Sequence, residues 1–300
     1  MEITDEIRIL KEKHNAVILA HNYVRGEIQD IADFCGDSLE LSIKAKNVHA
    51  PVIVFCGVRF MAETAKHLSP RSTVLLPQSG AGCPMADMAD ADEVAAYRKA
   101  HPDTVLVAYV NSTAAVKANV DICCTSGNVE KVISSIPADR KIMFIPDCNL
   151  GSNMMKKLDR PMELWSGFCP AHNAVTPEMI ENARRAHPEA EVLVHPECRP
   201  AVVAAADRAL STGGILRSVR ESDAAEFIIG TESGILHRLK KENPGKNFFP
   251  LQPEITCPNM KKITLTDVRD SLLSLTEKIV LPDDLMASAV RPIEAMLALQ

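Results

Sequence analysis

Short runs of β-branched and other apolar residues alternate with amphipathic stretches along most of the chain. The strand-like run "AVILA" at 16–20 is followed by the helical-period run "LELSIKAKN" at 39–47 and then by the strand-like run "PVIVFCG" at 51–57. Apolar strands that alternate with helices are typical of a parallel sheet covered by helices on both faces. The pattern therefore predicts an α/β fold.

The same order of elements occurs three times. Strand-like runs that end in a polar group place His21, Tyr109 and His195 at equivalent positions, separated by 88 and 86 residues. A repeat at a fixed period indicates homologous structural units. We predict three homologous three-layer αβα sandwich units around a pseudo-threefold axis. Their ranges are 1–85, completed by two C-terminal helices within 259–300, then 86–170, and finally 171–258.

A Cys-Pro pair occurs once in each predicted unit. Cys83, Cys169 and Cys257 each precede proline and are separated by 86 and 88 residues, whereas none of the other six cysteines precedes proline. A pseudo-threefold axis would bring these thiols together, and converging thiolates in a reducing compartment are typical metal ligands. Structural zinc usually takes a fourth protein ligand, while an iron–sulfur cubane held by three cysteines leaves one iron open. The residues favour iron–sulfur over zinc.

Hydroxyl residues occupy another repeated position. Ser38, Ser126 and Thr212 each lie 17 residues after the polar strand end of their unit and precede an amphipathic run. We expect them to be helix N-caps, with Gly127 and Gly213 leaving backbone N–H groups accessible. Three converging helix starts would form a pocket for carboxylates or a phosphate. Ordinary capping without a ligand is the competing interpretation, and the residues alone leave both open.

Groups that can transfer protons lie beside the polar strand ends. His21 and Tyr23 fall on one side of an extended strand, and Glu197 stands at the equivalent place in the third unit. An imidazole, a phenol and a carboxylate beside a Lewis-acidic iron suit dehydration and imine formation. His172 forms a Cys-x-x-His pair with Cys169, but the other two Cys-Pro segments lack this histidine, which argues against a zinc pair.

Composition and charge exclude several classes of protein. Apolar residues make up 46% of the chain and charged residues 24%, as in ordinary globular domains. The formal net charge of -6 argues against a general nucleic-acid surface. The sequence has neither an apolar run long enough for a transmembrane helix nor the apolar core of a signal peptide. We therefore expect a cytoplasmic protein that has reduced cysteines and binds neither membranes nor nucleic acid.

Nine motifs occur in order over roughly residues 15–265: "LAHNY", "DSLELS", "GCPMADM", "YVNSTAAVKA", "CTSGN", "WSGFCPAH", "VHPEC", "STGG" and "ITCPNM". Taken together, they resemble the quinolinate synthase family. The resemblance implies a triplicated α/β fold with a 4Fe–4S cluster at its central junction, held by Cys83, Cys169 and Cys257. It also implies condensation of iminoaspartate with dihydroxyacetone phosphate to quinolinate, with release of phosphate and two waters, in NAD biosynthesis.

The resemblance also implies roles for individual residues. The expected catalytic residues are His21, Tyr23 and Glu197, of which Tyr23 and Glu197 are the expected proton-transfer groups. The expected substrate contacts are His21, Ser38, Tyr109, Asn111, Ser126, His195, Glu197 and Thr212. An enzyme that produces the unstable iminoaspartate is a candidate partner.

One departure from the family pattern concerns redox control. Some members carry Cys-x-x-Cys-x-x-Cys ending at the third ligand, a proposed thiol switch. Leu251 and Glu254 stand at the two upstream positions here, so we do not expect that switch. The alternative hypothesis is a non-catalytic metal-binding or redox-sensing protein built on the same triplication.

Overall fold

The three apolar patterns form three separate four-stranded sheets in the structure, a computed structural model that describes residues 1–299. In each sheet the first strand of the unit lies between the second and the third, and the fourth strand pairs with the third. All neighbouring strands are parallel, and helices flank the sheets. The predicted α/β class, with three αβα units, is therefore confirmed.

The first sheet is built from strongly apolar strands. Its elements are α1 (Ile3–His14), β1 (Ala16–His21), α2 (Gly26–Ile31), β2 (Phe34–Gly36), α3 (Ser38–Asn47), β3 (Val52–Cys56), α4 (Arg59–Leu68) and β4 (Thr73–Leu75). Every residue of β3 is buried, because helices cover both faces of a parallel sheet.

The second sheet repeats this order of elements. They are α5 (Ala91–Ala100), β5 (Thr104–Tyr109), α6 (Ala114–Lys117), β6 (Ile122–Cys124), α7 (Val129–Ser135), β7 (Lys141–Ile145), α8 (Cys148–Leu158) and β8 (Glu163–Leu164). A short helix, α9 (Pro170–Asn173), follows this sheet and begins directly after Cys169.

The third sheet repeats the order again. Its elements are α10 (Pro177–Ala186), β9 (Glu191–Val194), α11 (Pro200–Ala205), β10 (Arg208–Ala209), α12 (Thr212–Glu221), β11 (Glu226–Gly230), α13 (Ile235–Glu242) and β12 (Asn247–Pro250). The three sheets thus have the same connectivity as well as the same strand order.

One carboxylate position also repeats in all three units. In the first unit, Asp33 accepts a hydrogen bond from the backbone N–H of Ile18 at 2.8 Å and pairs with Lys11 of α1. In the other two units an aspartate likewise accepts a backbone N–H of the first strand and binds an arginine of the preceding helix; these are Asp121 and Asp207. The aspartate therefore fastens each unit's first helix to the edge of its first strand.

Two helices complete the described chain, α14 (Leu265–Ser274) and α15 (Asp283–Leu297). The sequence predicts both on the first unit. Helix α14 packs there, against α1 and β3, whereas α15 packs against α4 of the first unit and against α6 and β6 of the second. The boundaries of the three units stay a prediction. Among the described helices, none is long and apolar enough to cross a membrane.

Candidate active site

The carboxyl ends of the three sheets meet at one pocket of about 350 Å³. His21 ends β1, Tyr109 ends β5 and His195 directly follows β9. Ligands of parallel sheets bind beyond such strand ends. The pocket is lined by every site residue named from the sequence: His21, Tyr23, Ser38, Cys83, Tyr109, Asn111, Ser126, Cys169, His195, Glu197, Thr212 and Cys257.

The three Cys-Pro cysteines contribute half-buried thiols to this pocket. Cys83 follows β4, Cys169 precedes α9 and Cys257 follows β12. Burial raises the pKa of the Cys83 thiol to about 12, and it also raises the pKa values of Cys169 and Cys257. Thiols with raised pKa values keep their protons near neutral pH until a bound metal displaces them.

The pocket also holds a group of side chains that could bind a single metal ion. Zinc–sulfur bonds of about 2.3 Å place the sulfur atoms around one zinc ion about 3.8 Å apart. Among the described residues, one set of three His, Cys, Asp or Glu ligand atoms lies within 4.8 Å of one another, and it belongs to Cys169, His172 and Glu197. Of the three Cys-Pro cysteines, this set contains Cys169 alone.

A chain of hydrogen bonds connects Tyr23 to Glu197. Thr231 Oγ1 lies 2.6 Å from Tyr23 Oη and 2.8 Å from His172 Nε2. His172 Nδ1 lies 2.8 Å from Glu197 Oε2, and the Tyr109 hydroxyl donates to Glu197 Oε1 at 2.6 Å. All five side chains are buried. Two phenols are therefore linked through one hydroxyl, one imidazole and one carboxylate.

The environment sets the charge of these groups. Burial by itself raises the pKa of Glu197, but His195, His172 and the hydrogen bonds from His172 and Tyr109 together hold that pKa well below its usual range. Burial raises the pKa values of Tyr23 and Tyr109 well above their usual range. Glu197 is therefore a carboxylate, and both tyrosines are neutral phenols. An ionised Glu197 requires a proton on His172 Nδ1, which leaves Nε2 free to accept from a hydroxyl.

His21 and His195 are neutral imidazoles in the same tautomer. Burial lowers the pKa of His21 to about 3 and that of His195 to about 4. The backbone N–H of Tyr23 donates to His21 Nδ1 at 3.2 Å, and the backbone N–H of Glu197 donates to His195 Nδ1 at 3.3 Å. Each ring therefore carries its proton on Nε2 and can donate it to a ligand.

The predicted capping role of the three hydroxyls is wrong. Asp37 caps α3 by accepting two backbone N–H groups, and Ser211 caps α12. Ser38 and Thr212 are instead the first residues of these helices, and Ser126 lies three residues before α7. In α3 and α12 the preceding side chain satisfies the helix end. The hydroxyls therefore line the pocket without serving as caps.

Asn111 adds an acceptor to the pocket. Its Oδ1 is buried and, within residues 1–299, has no hydrogen-bond partner. A buried carbonyl oxygen without a donor costs free energy, which a ligand N–H or O–H can recover.

Two residues of the hydrogen-bond chain were not among the predicted site residues. Thr231 directly follows β11, so its place at a strand end is the signal that could identify it. His172 carries only the Cys-x-x-His spacing, which points to a metal rather than to a chain of hydrogen bonds.

The fold and the site define the class of protein. It is an enzyme in which three α/β units supply one pocket with thiols, neutral imidazoles and a buried acid–base network. The family model described as "Quinolinate synthetase A protein" (NadA) matches residues 5–298. The chain belongs to this family.

Relatives named quinolinate synthase match over nearly their full length. The quinolinate synthase of Methanoregula boonei is 52% identical over 297 residues, covering 99% of this chain and 98% of that protein. The quinolinate synthase of Desulforudis audaxviator is 52% identical over 298 residues, with coverage of 99% and 98%. That of Geobacter metallireducens is 48% identical over 297 residues, with coverage of 99% and 97%.

Proposed function

We propose that the protein has quinolinate synthase activity, condensing iminoaspartate with dihydroxyacetone phosphate to quinolinate with loss of phosphate and two waters. One observation carries this proposal: three cysteines, one from each unit, line the same pocket as Tyr23, His172 and Glu197, which Thr231 links by hydrogen bonds into one buried chain. Membership of the family supports it, because the relatives bear that name.

We propose that Cys83, Cys169 and Cys257 hold a 4Fe–4S cluster. Each unit supplies one cysteine to the pocket, and a cubane held by three cysteines takes one of them per iron and leaves its fourth iron without a cysteine. When bound, the cluster supplies a Lewis acid at the iron that lacks a cysteine, which can polarise a substrate hydroxyl or carboxylate. A structural zinc site would need a fourth protein ligand, which the repeated Cys-Pro positions do not supply.

The substrates carry carboxylate and phosphate groups, and neutral donors in the pocket would bind them. The donors are the Nε2–H of His21 and the hydroxyl of Ser38, together with His195 and Ser126, whose Nε2 and Oγ lie 3.2 Å apart. The Thr212 hydroxyl donates to Tyr23 Oη at 2.8 Å, so Thr212 would contact the substrate beside that phenol. Each hydrogen bond to a charged group contributes about 1.5–3 kcal/mol. The lowered pKa of His21 makes it a donor rather than a base near neutral pH.

Tyr23 exchanges protons with the substrate in this proposal. Its phenol proton passes to Thr231, whose own proton moves to His172 Nε2, while Glu197 stabilises the resulting imidazolium at Nδ1. The phenolate then takes a proton from the substrate. The reverse transfers return a proton to a departing hydroxyl, which leaves as water. Because burial raises the pKa of Tyr23, the phenolate lasts only while the chain holds its proton.

An anaerobic assay tests this function. Protein purified without oxygen is mixed with dihydroxyacetone phosphate and with iminoaspartate formed in the assay from oxaloacetate and ammonium, and quinolinate is measured by mass spectrometry. We expect catalytic turnover in the iron-loaded protein and its loss in Tyr23→Phe. Iron-loaded protein that forms no quinolinate would contradict the proposal and favour the non-catalytic metal-binding alternative.

A further inference from the structure

Glu232, on the loop after β11, is a fully buried carboxylate that the proposed proton transfers do not use. It is 0% exposed. Its Oε1 accepts from the backbone N–H of Cys257 at 3.2 Å, and its Oε2 accepts from the backbone N–H of Gly234 at 2.7 Å. The Lys261 ammonium lies 2.9 Å from Oε1 and 3.1 Å from Oε2. The Glu232 carboxylate thus binds three groups: the loop that carries Cys257, the loop that leads into α13, and the Lys261 ammonium.

Lys261 extends these contacts to the first unit. Its Nζ also donates to the backbone oxygen of Tyr23 at 2.5 Å, and Arg25 Nε donates to the Lys261 backbone oxygen at 2.7 Å. A Cβ added to Gly234 would lie 2.6 Å from both the Tyr23 oxygen and Lys261 Nζ. The loop that carries Tyr23 and the loop that carries Cys257 are therefore packed together around Glu232.

The position of Glu232 recurs in the triplicated fold. It lies two residues past the third strand of its unit, where the second unit has Asp147 and the first has Val58. Asp147 is also fully buried and caps α8 by accepting from the backbone N–H of Leu150 at 2.9 Å. A buried carboxylate that holds backbone N–H groups thus occurs here in two units. In the third unit it reaches the Cys257 N–H as well.

We propose that Glu232 is a positioning residue that holds the Cys257 loop in the geometry for metal binding and couples that loop to Tyr23. This inference rests on the proposed function, because it requires a metal centre at Cys257. Groups that orient metal ligands typically change metal affinity 10- to 100-fold when they are replaced. Each oxygen of Glu232 accepts a backbone N–H. In Glu232→Gln an NH₂ group replaces one of these oxygens, so in either orientation of the amide one backbone N–H faces another donor and loses its hydrogen bond.

The test compares iron retention in matched variants. Glu63 is the control, since it is a buried carboxylate that accepts the Ala114 N–H at 3.1 Å and pairs with Arg59 at 3.0 Å. Parent, Glu232→Gln and Glu63→Gln are reconstituted anaerobically with iron and sulfide, and the rate of iron loss to a ferrous chelator is measured. We expect Glu232→Gln to lose iron about 10- to 100-fold faster than the parent, with an altered visible spectrum. Glu63→Gln should lose iron at the parent rate.

Two further measurements separate positioning from a general loss of stability. Glu232→Asp keeps the charge that Lys261 needs but is one methylene shorter, so its rate of iron loss should lie between those of the parent and Glu232→Gln. In the metal-free proteins, backbone hydrogen exchange over 255–261 should be faster in Glu232→Gln than in the parent, while exchange over 104–109 should be the same in both.

The outcomes distinguish this inference from the function on which it rests. If the parent takes up iron, and the parent, Glu232→Gln and Glu232→Asp all lose it at the same rate, the role of Glu232 is overturned. The proposed metal centre is not affected by that result. Equal hydrogen exchange over 255–261 in the metal-free parent and Glu232→Gln would also overturn it. A parent protein that takes up no iron would overturn the metal centre and this inference with it.

Discussion

Thr231 shows how much of the candidate chemistry depends on one hydroxyl. It is the link between the Tyr23 phenol and the His172 imidazole, at 2.6 and 2.8 Å. Without it, the phenol has no bonded path to Glu197 along this chain. The proton transfers proposed for Tyr23 therefore require the Thr231 hydroxyl.

We expect Thr231→Val to lower kcat about 100-fold, because general acid–base groups typically contribute at least this factor. The substrate KM should change little, since the hydroxyl is bonded to protein groups rather than offered to the ligand. The matched control is Thr64→Val, which removes another buried hydroxyl, bonded to the backbone oxygen of Phe60 in α4. A Thr231→Val enzyme with the kcat of the parent would contradict the proton chain.

Ser38 and Ser211 separate ligand binding from helix capping. Ser211 accepts a backbone N–H of α12, so Ser211→Ala should lower the free energy of unfolding by about 1 kcal/mol. Ser38 lines the pocket without capping α3. Ser38→Ala should therefore raise the substrate KM about tenfold or more and leave thermal stability unchanged. Steady-state kinetics and thermal unfolding of both variants give the comparison, and unchanged KM in Ser38→Ala would exclude a substrate contact.

At the scale of elements, the sequence pattern predicts the strands better than the helix ends. Apolar runs identify β1, β3 and their counterparts, because a parallel strand is buried on both faces. The predicted caps of α3 and α12, Ser38 and Thr212, each lie one residue after the observed cap. The observed caps, Asp37 and Ser211, are also residue types that commonly cap helices, so the sequence does not distinguish the two positions. The repeated aspartates Asp33, Asp121 and Asp207 are visible in the sequence, because they are separated by the same 88 and 86 residues as the polar strand ends. The backbone N–H groups that they accept are not visible there.

Gly234 keeps α13 close to the Tyr23 loop. Since an added Cβ would meet the Tyr23 backbone oxygen and carbon at 2.6 and 2.7 Å, Gly234→Ala should lower the free energy of unfolding by about 1–3 kcal/mol. Gly245 is the control, because a Cβ there would meet no heavy atom of the described chain within 4 Å. Gly245→Ala should stabilise by about 0.4–1 kcal/mol. Denaturant titration measures both, and a neutral Gly234→Ala would contradict the close packing.

Helix α4 carries a buried histidine that should make stability depend on pH. His67 is 3% exposed, so its ring is almost entirely removed from water. Burial and the nearby Lys117 lower its pKa from 6.5 to about 4. Between these values the unfolded chain binds the proton more readily than the folded chain. The free energy of unfolding should therefore fall as the pH drops from 6.5 to 4, by about 3 kcal/mol from this residue.

His67→Leu isolates this contribution from those of His21 and His195, whose pKa values are also lowered. Chemical denaturation at pH 7 and at pH 4.5 should show a smaller loss of stability in the variant than in the parent. Equal losses in the two proteins would show that His67 is not the group responsible.

At the scale of the whole molecule, the repeat predicts which residues converge but not which hydrogen bonds connect them. The 86- and 88-residue steps bring the Cys-Pro cysteines and the polar strand ends to one pocket. Thr231 has Gly57 and Pro146 at its equivalent positions, so comparing the units could not reveal it. His172 likewise has Ala86 and Met260 at its equivalent positions. The asymmetric part of the site depends on contacts between units, which a periodic pattern does not contain.

The iron and sulfide content of single cysteine variants, after anaerobic reconstitution, tests whether Cys83, Cys169 and Cys257, one from each unit, hold one 4Fe–4S cluster. We expect about four irons and four sulfides per chain in the parent, and the same in the control Cys124→Ala, whose cysteine is buried in β6. The alanine variants of Cys83, Cys169 and Cys257 should each lose the cluster. Full iron and sulfide in Cys169→Ala would show that these cysteines are not its ligands.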